Sequence, residues 1–192
     1  KPLLLLLNQA VFCLSTTRAF TCLSGFAQNR LPAQHLLDSV ITKALKEKKN
    51  VFVSFSASWC GPCKDLKRGI YDVYNIQFFE KNYVVLELYG SEVGDKKINE
   101  NAGANEIILK YDGDTSFLPY WMILNSKGIK LLDNYVKSEK NPGKRENIGF
   151  SYNPESAKKF LAAIKKTSKL TDAELQLIDE RFRQLSRSIP ED

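Results

Sequence analysis

Two cysteines three positions apart, Cys60 and Cys63, are the residues of this sequence best suited to chemistry. They lie in the stretch SWCGPCK, residues 58–64, with Trp59 directly before the first cysteine. Thiols at this spacing can exchange disulfides with a partner, bind a metal ion as half of a site, or form a structural staple. The rest of the sequence has to separate these three possibilities.

The metal site and the staple find little support elsewhere in the chain. A metal site needs two further nitrogen or sulfur ligands, and the single histidine of the chain, His35, is distant in sequence. A disulfide that closes so short a loop removes little entropy from the unfolded chain. Cys13 and Cys22 lie in a leader-like segment described below. The sequence therefore favours redox exchange at Cys60 and Cys63.

Alternating strand and helix patterns surround the cysteines. Residues 51–57, VFVSFSA, are β-branched and aromatic in near alternation, which predicts a buried strand that ends just before the cysteines. The patterns that follow predict a helix over 63–75, a strand over 83–89, an irregular segment over 90–117 with a short helix over 105–111, strands over 119–125 and 129–135, a loop over 137–153 and a helix over 154–166. This order predicts an α/β fold with a central mixed sheet flanked by helices.

Two further helices are predicted outside this core. An amphipathic segment after Pro32 predicts an N-terminal helix. Thr171 and Glu174 have the spacing of a capping box, which predicts the start of an extra C-terminal helix. That helix carries an apolar stripe, which favours core packing over a partner surface; its members are Leu175, Ile178, Phe182 and Leu185.

A strand that ends at Cys60 and leads into a helix determines how the two thiols differ. The free amides and the dipole of a helix N-terminus stabilise a thiolate at Cys60. We expect Cys60 to be accessible and Cys63, one turn later, to be more buried. Cys60 would then attack a partner and Cys63 would resolve the mixed disulfide.

The motif WCGPCK resembles the active site of the thioredoxin superfamily residue for residue, and the resemblance covers about residues 50–166. It implies a thioredoxin fold, with Cys60 as nucleophile and Cys63 as resolving thiol. It also implies that Pro119 is a cis-proline facing the disulfide and that the preceding Leu118 binds the substrate backbone. It further assigns four supporting residues to the site, Trp59, Gly61, Pro62 and Lys64. Of these, Trp59 is also expected to contact the substrate.

The sequence departs from the family pattern at three positions. The buried acid that the family often carries six residues before the first cysteine is Ser54 here, and Ser56 replaces a usual tryptophan. The matching place on the neighbouring strand, usually lysine, is Glu87. We hypothesise that Glu87 accepts the proton of Cys63; the alternative is that it faces solvent or pairs with a lysine.

The first 27 residues differ from the rest of the sequence. They begin with a positive charge and a run of leucines, contain no acid, and end in Gly25-Phe26-Ala27. This pattern predicts a cleavable secretory signal over 1–27; an uncleaved anchor or a folded N-terminal element are the alternatives. Residues 28–192 are then one thioredoxin-like domain, with its core over about 50–166 and a helical extension over about 171–188.

Together these features predict an exported thiol–disulfide oxidoreductase that reduces or exchanges protein disulfides. The leader and the additional helices resemble periplasmic thioredoxin-like proteins of Gram-negative bacteria, which implies a periplasmic or secreted protein and a possible membrane electron donor. The net charge of +6 is dispersed, so nucleic acid is not indicated, and we expect no metal, no cofactor and a monomer. The alternative is a thioredoxin-fold binding or chaperone module whose cysteine pair regulates docking.

Overall fold

The computed structural model of the chain describes residues 30–138, 141–150 and 154–187. The signal predicted for residues 1–27 lies outside these ranges and stays a prediction. None of the helices within them combines the length and the hydropathy of a membrane span.

Helices and strands alternate along the described chain. The order is α1 (Ala33–Glu47), β1 (Asn50–Ser56), α2 (Gly61–Ile70), α3 (Ile76–Asn82), β2 (Tyr83–Tyr89), a 3-10 helix (Gly94–Asn99), α4 (Ala104–Lys110), β3 (Tyr120–Leu124), β4 (Lys130–Asp133), β5 (Tyr135–Lys137), β6 (Arg145–Asn147), α5 (Pro154–Thr167) and α6 (Asp172–Arg187). Most core elements and both flanking helices match the predictions within a few residues.

The central sheet has four strands in the order β2-β1-β3-β4. Strand β1 pairs parallel with β2 and antiparallel with β3, and β3 pairs antiparallel with β4. The register places Ser54 between Glu87 on β2 and Trp121 on β3. The predicted thioredoxin fold with a mixed sheet is therefore confirmed.

Each face of the sheet is covered by its own apolar cluster, because side chains of a strand point alternately to the two faces. On one face α1 and α4 pack against side chains that include Val53, Leu86 and Met122. On the other face the cluster joins α2, α3, α5 and α6 to the sheet around Phe52 and Trp121, whose rings stack with centroids 5.8 Å apart.

Helix α6 belongs to the second cluster. Leu175, Ile178 and Phe182 are buried there, which confirms core packing for three members of the predicted stripe, while the fourth, Leu185, is half-buried. The capping box also forms: the Thr171 amide donates to Glu174 Oε2 at 2.7 Å, and the Glu174 amide donates to Thr171 Oγ1 at 3.2 Å.

The helix predicted over 63–75 is wrong in its extent. Helix α2 ends at Ile70, and α3 begins six residues later. Asp72 Oδ1 accepts the amide N–H of Tyr74 at 3.0 Å, a local side-chain bond that competes with helix continuation. Asn75 then caps the break by donating to the Gly69 carbonyl at 2.9 Å.

The loop predicted over 137–153 contains part of a second, two-stranded sheet. Strands β5 and β6 pair antiparallel, with Tyr135 opposite Asn147. Asn134 holds this hairpin to the core, since its amide nitrogen donates to Asn147 Oδ1 at 2.7 Å and to the Pro119 carbonyl at 2.8 Å. Polar side chains rather than an apolar period fix these strands, so no periodicity predicted them.

Candidate active site

Cys60 and Cys63 form a disulfide at the start of α2, with their Cα atoms 5.3 Å apart. Cys60 is the N-cap residue, and the amide N–H of Cys63 donates to Cys60 Sγ at 3.2 Å. This geometry confirms that the first sulfur lies at the helix N-terminus. An anionic sulfur at this position is stabilised by the helix amides and the helix dipole.

Both sulfurs are buried in this disulfide form. Cys60 is 2% exposed and Cys63 is 3% exposed, so the expectation that Cys60 is the accessible member of the pair is wrong here. The reason is the contact of the disulfide with Ala57 and Leu118, which pack against it. Trp59, by contrast, is 52% exposed at the surface beside the disulfide.

The loop that covers the disulfide contains a cis-proline. The Leu118–Pro119 peptide bond is cis, as the family resemblance implied, and Pro119 is buried directly before β3. The other supporting residues, Gly61, Pro62 and Lys64, lie on the first turn of α2. All three are exposed to solvent.

A groove of about 510 Å³ begins at this loop. One wall contains Pro62 of the cysteine motif and the segment from Phe117 to Pro119, and the other wall contains the β5–β6 hairpin. Phe117 is exposed at the groove, while Ile148 and Phe150 contribute apolar surface after β6. An extended segment of polypeptide next to the disulfide could lie in this groove.

Glu87 forms an ion pair with Lys67 of α2. Lys67 Nζ lies 2.6 Å from Glu87 Oε2 and 3.2 Å from the Tyr89 hydroxyl. The hydrogen bond with Glu87 raises the pKa of Lys67. The alternative of pairing with a lysine is therefore confirmed, and the role of Glu87 as proton acceptor for Cys63 stays a prediction.

The two serines that replace family residues have different surroundings. Ser56 is buried, and its carbonyl accepts the amide N–H of Gly90 at 3.0 Å. Ser54 is half-buried on the sheet face that carries Phe52. Trp121 is fully buried on the same face and therefore packs rather than contacts substrate.

Sequence reasoning missed one acidic residue that contacts the active-site loop. Glu92 is 3% exposed and accepts from both the amide N–H and the hydroxyl of Ser58, each at 2.7 Å. Its neighbour Ser91 accepts the indole N–H of Trp59 at 2.9 Å through its carbonyl oxygen. The only signal was that the 90–117 segment is long and irregular, because no periodicity marks Glu92.

Several solved structures are similar to the chain at low identity. A disulphide isomerase from Xylella fastidiosa Temecula1 is 18% identical, with 82% of this chain and 98% of that chain covered and a TM-score of 0.45. A mutant thioredoxin from Halobacterium salinarum NRC-1 is 16% identical, with 73% and 90% covered and a TM-score of 0.41. The exposed lipoprotein thioredoxin Etrx1 from Streptococcus pneumoniae strain TIGR4 is 17% identical, with 68% and 89% covered and a TM-score of 0.38.

The family comparison is more specific. No curated protein matches the sequence at a significant level. A family model described as thioredoxin-like matches residues 33–126. That range runs from α1 to just past the end of β3 and contains the disulfide and the cis-proline. This part of the chain, residues 33–126, belongs to the thioredoxin superfamily.

Proposed function

We propose that this protein is a thiol–disulfide oxidoreductase that reduces or exchanges disulfides of protein substrates through Cys60 and Cys63. The observation that carries the proposal is the Cys60–Cys63 disulfide at the N-terminus of α2, beneath the cis-proline loop. A thiol placed at a helix start forms the reactive thiolate more readily than a free cysteine.

The proposed reaction passes two electrons from the Cys60–Cys63 dithiol to a substrate disulfide. The Cys60 thiolate attacks one substrate sulfur, which breaks the substrate S–S bond, forms a mixed disulfide and releases one substrate thiolate that takes up a proton. The Cys63 thiolate then attacks Cys60 Sγ. This step forms the intramolecular disulfide and releases the second substrate sulfur as a thiol. A thiol donor must afterwards reduce the Cys60–Cys63 disulfide again.

The direction of electron flow is proposed from the residues between the cysteines. Gly61 and Pro62 are the dipeptide of thioredoxin, whose reduction potential is about −270 mV. A strong oxidant of the same fold has a reduction potential of about −120 mV. This favours a reductant or an exchanger. We further propose that the protein works outside the cytoplasm and takes electrons from a membrane donor; the leader-like pattern over 1–27 supports this proposal.

Substrate binding is proposed for Leu118 and Trp59. Leu118 packs on the disulfide and lines the groove, and Trp59 is exposed beside the reacting sulfur. A polypeptide that presents its disulfide to Cys60 would contact both residues. Because both sulfurs are buried in the oxidised form, attack on the disulfide requires a small displacement of Leu118 or of the loop that carries it.

The first prediction concerns the reaction itself. Wild-type protein should accelerate the reduction of insulin by dithiothreitol at least about tenfold over Cys60→Ser, because only the wild type can attack and resolve. Cys63→Ser should accumulate mixed disulfides with its substrates, since the resolving thiol is absent. The measurements are insulin turbidity and mass spectrometry of the trapped complexes.

Equal rates for wild type and Cys60→Ser would contradict the oxidoreductase function. Binding of unfolded or thiol-containing proteins that is equally strong in both variants would then favour the alternative of a binding module. Mixed disulfides trapped by Cys60→Ser instead of Cys63→Ser would reverse the roles of the two thiols.

A further inference from the structure

We propose that Glu92 is a positioning residue that controls the reactivity of Cys60 in two ways, through its hydrogen bonds to Ser58 and through its negative charge. The proposal rests on the proposed function of the Cys60–Cys63 disulfide. Glu92 lies in the segment that connects β2 to α4, and no pattern in the sequence connected it with the site.

The contact between Glu92 and the active-site loop is close and buried. Glu92 Oε1 accepts the amide N–H of Ser58 and Glu92 Oε2 accepts its hydroxyl, both at 2.7 Å. The side chain thus uses both carboxylate oxygens on one residue of the loop, while the residue as a whole is 3% exposed. Hydrogen bonds to an ionised acceptor are among the stronger ones in proteins.

Ser58 lies inside the turn that presents Cys60. The amide N–H of Cys60 donates to the Ala57 carbonyl at 3.1 Å, so residues 57–60 form one tight turn before α2. Trp59 of the same turn is held by the Ser91 carbonyl at 2.9 Å. Ser91 and Glu92 therefore fix two consecutive residues of the turn from the same side.

The segment that carries Glu92 is itself firmly attached to the sheet. Asn101 is buried and attaches this segment to the end of β2. Its backbone amide donates to the Tyr89 carbonyl, and its Oδ1 accepts the Tyr89 amide N–H, each at 2.8 Å. The amide N–H of Glu92 donates to Glu100 Oε1 at 2.6 Å. Glu92 is therefore held by the fold and not only by Ser58.

The charge of Glu92 gives the contact a second effect. Among the described residues no Lys, Arg or His forms an ion pair with Glu92, so its charge is offset only by hydrogen bonds. Burial of an ion away from water strengthens its action on neighbouring charges. Because Glu92 binds Ser58, two residues before Cys60, we expect its charge to oppose a negative charge on Cys60 in the dithiol and its removal to favour the thiolate.

Three variants separate position from charge. Glu92→Gln keeps an acceptor for the Ser58 amide and removes the charge, whereas Glu92→Ala removes both. Glu174→Gln is the matched control, because Glu174 also accepts a backbone amide and a hydroxyl of one residue, Thr171, far from the disulfide. Thermal unfolding of each variant shows that the full chain is folded.

Two measurements report on Cys60 itself. The first is the rate at which iodoacetamide modifies Cys60 in the reduced full chain, followed by mass spectrometry of the peptide that contains it. The second is the equilibrium with glutathione, in which two glutathione thiols become one glutathione disulfide while Cys60–Cys63 becomes a dithiol. Glu92→Gln should raise the alkylation rate and shift the equilibrium toward the dithiol by about threefold or more each.

In Glu92→Ala, loss of the hydrogen bonds should also change the fluorescence of Trp59, whereas Glu174→Gln should match wild type in both Cys60 measurements. The proposal would be overturned if, in both Cys60 measurements, Glu92→Gln differed from wild type by no more than Glu174→Gln does. A wild-type protein that reduces insulin no faster than Cys60→Ser would instead contradict the proposed function, so the two failures are distinguishable.

Discussion

Glu87 and Lys67 form a charged pair on the helix face that carries Cys63. Val85 of β2 packs in the cluster around α2, and strand alternation places Glu87 on the same sheet face. Lys67 follows Cys63 by one helical turn and binds Glu87 at 2.6 Å. If Glu87 accepts the proton of Cys63, it must do so while it is paired with Lys67.

The second prediction tests whether Glu87 accepts the proton of Cys63. Glu87→Gln should slow resolution of the mixed disulfide by about tenfold or more, because a positioned general base would be lost. The measurement is single-turnover release of a substrate thiol as a function of pH. Lys67→Met is the companion variant, because it frees Glu87 while keeping the apolar stem of the side chain.

An unchanged pH–rate profile in Glu87→Gln would remove Glu87 from the mechanism and leave the Lys67 pair as a structural contact. The raised pKa of Lys67 keeps this residue charged well above neutral pH, so titration of the lysine does not complicate the profile between about pH 5 and about 9.

At the scale of elements, α2 and α6 approach each other through a glycine. A Cβ atom built on Gly69 would lie 1.7 Å from Cε1 of Phe182, which is buried in the cluster on that face. The close approach lets α6 cover the helix that carries the cysteines. Glycine is required here for space and not for backbone conformation.

The third prediction is that Gly69→Ala lowers the free energy of unfolding by about 1–3 kcal/mol, because an extra methyl group must displace the Phe182 ring from a packed core. Urea unfolding followed by circular dichroism measures the change. Gly61→Ala on the same helix is the control, since nothing lies within 4 Å of its Cβ position. Equal stability of the two variants would show that α6 adjusts freely.

The elements differ in how far the sequence predicted them. Strand β2 was predicted with its observed bounds, Tyr83–Tyr89, because it is a run of apolar and aromatic residues interrupted only by Glu87. The break between α2 and α3 and the β5–β6 hairpin were missed. Both depend on single polar side chains, Asp72 and Asn134, whose bonds to backbone groups leave no periodic signal.

At the scale of the whole molecule, Arg181 connects α6 to the turn after α2. Its guanidinium donates through Nε and Nη2 to the two carboxylate oxygens of Asp72, both at 2.8 Å. This bidentate pair lowers the pKa of Asp72 below its ordinary value of 3.8. It joins α6 to the turn after α2, 109 positions earlier in the sequence.

The fourth prediction concerns acid stability. A carboxylate whose pKa is lowered by folding stabilises the folded state above its ordinary pKa of 3.8, and this stabilisation is lost as the pH falls through the lowered value. Asp72→Asn should therefore destabilise the protein by about 1–2 kcal/mol at pH 7. The difference from wild type should shrink below pH 3.8.

Urea unfolding between about pH 2.5 and about 7 measures this difference. Asp65→Asn is the matched control, because Asp65 pairs with Arg68 at 3.2 Å in an exposed position where an ion pair contributes little. A constant difference between Asp72→Asn and wild type over the whole pH range would contradict the assigned role of the ion pair.

The sequence by itself determined the local part of the site. The spacing of Cys60 and Cys63, the strand before them and the helix after them are adjacent in the chain, so periodicity and motif placed the disulfide at the start of α2. The resemblance carried by that motif also predicted the cis bond at Pro119.

Only the tertiary structure decided what surrounds the disulfide. Leu118 packs against the cluster that contains the two cysteines, Lys67 pairs with Glu87, and Glu92 binds Ser58 from 34 positions away. These contacts join segments that are distant in sequence, and each depends on how the loops return to the sheet. A single polar residue in a loop has no period to reveal its partner, so these contacts could be read only from the folded chain.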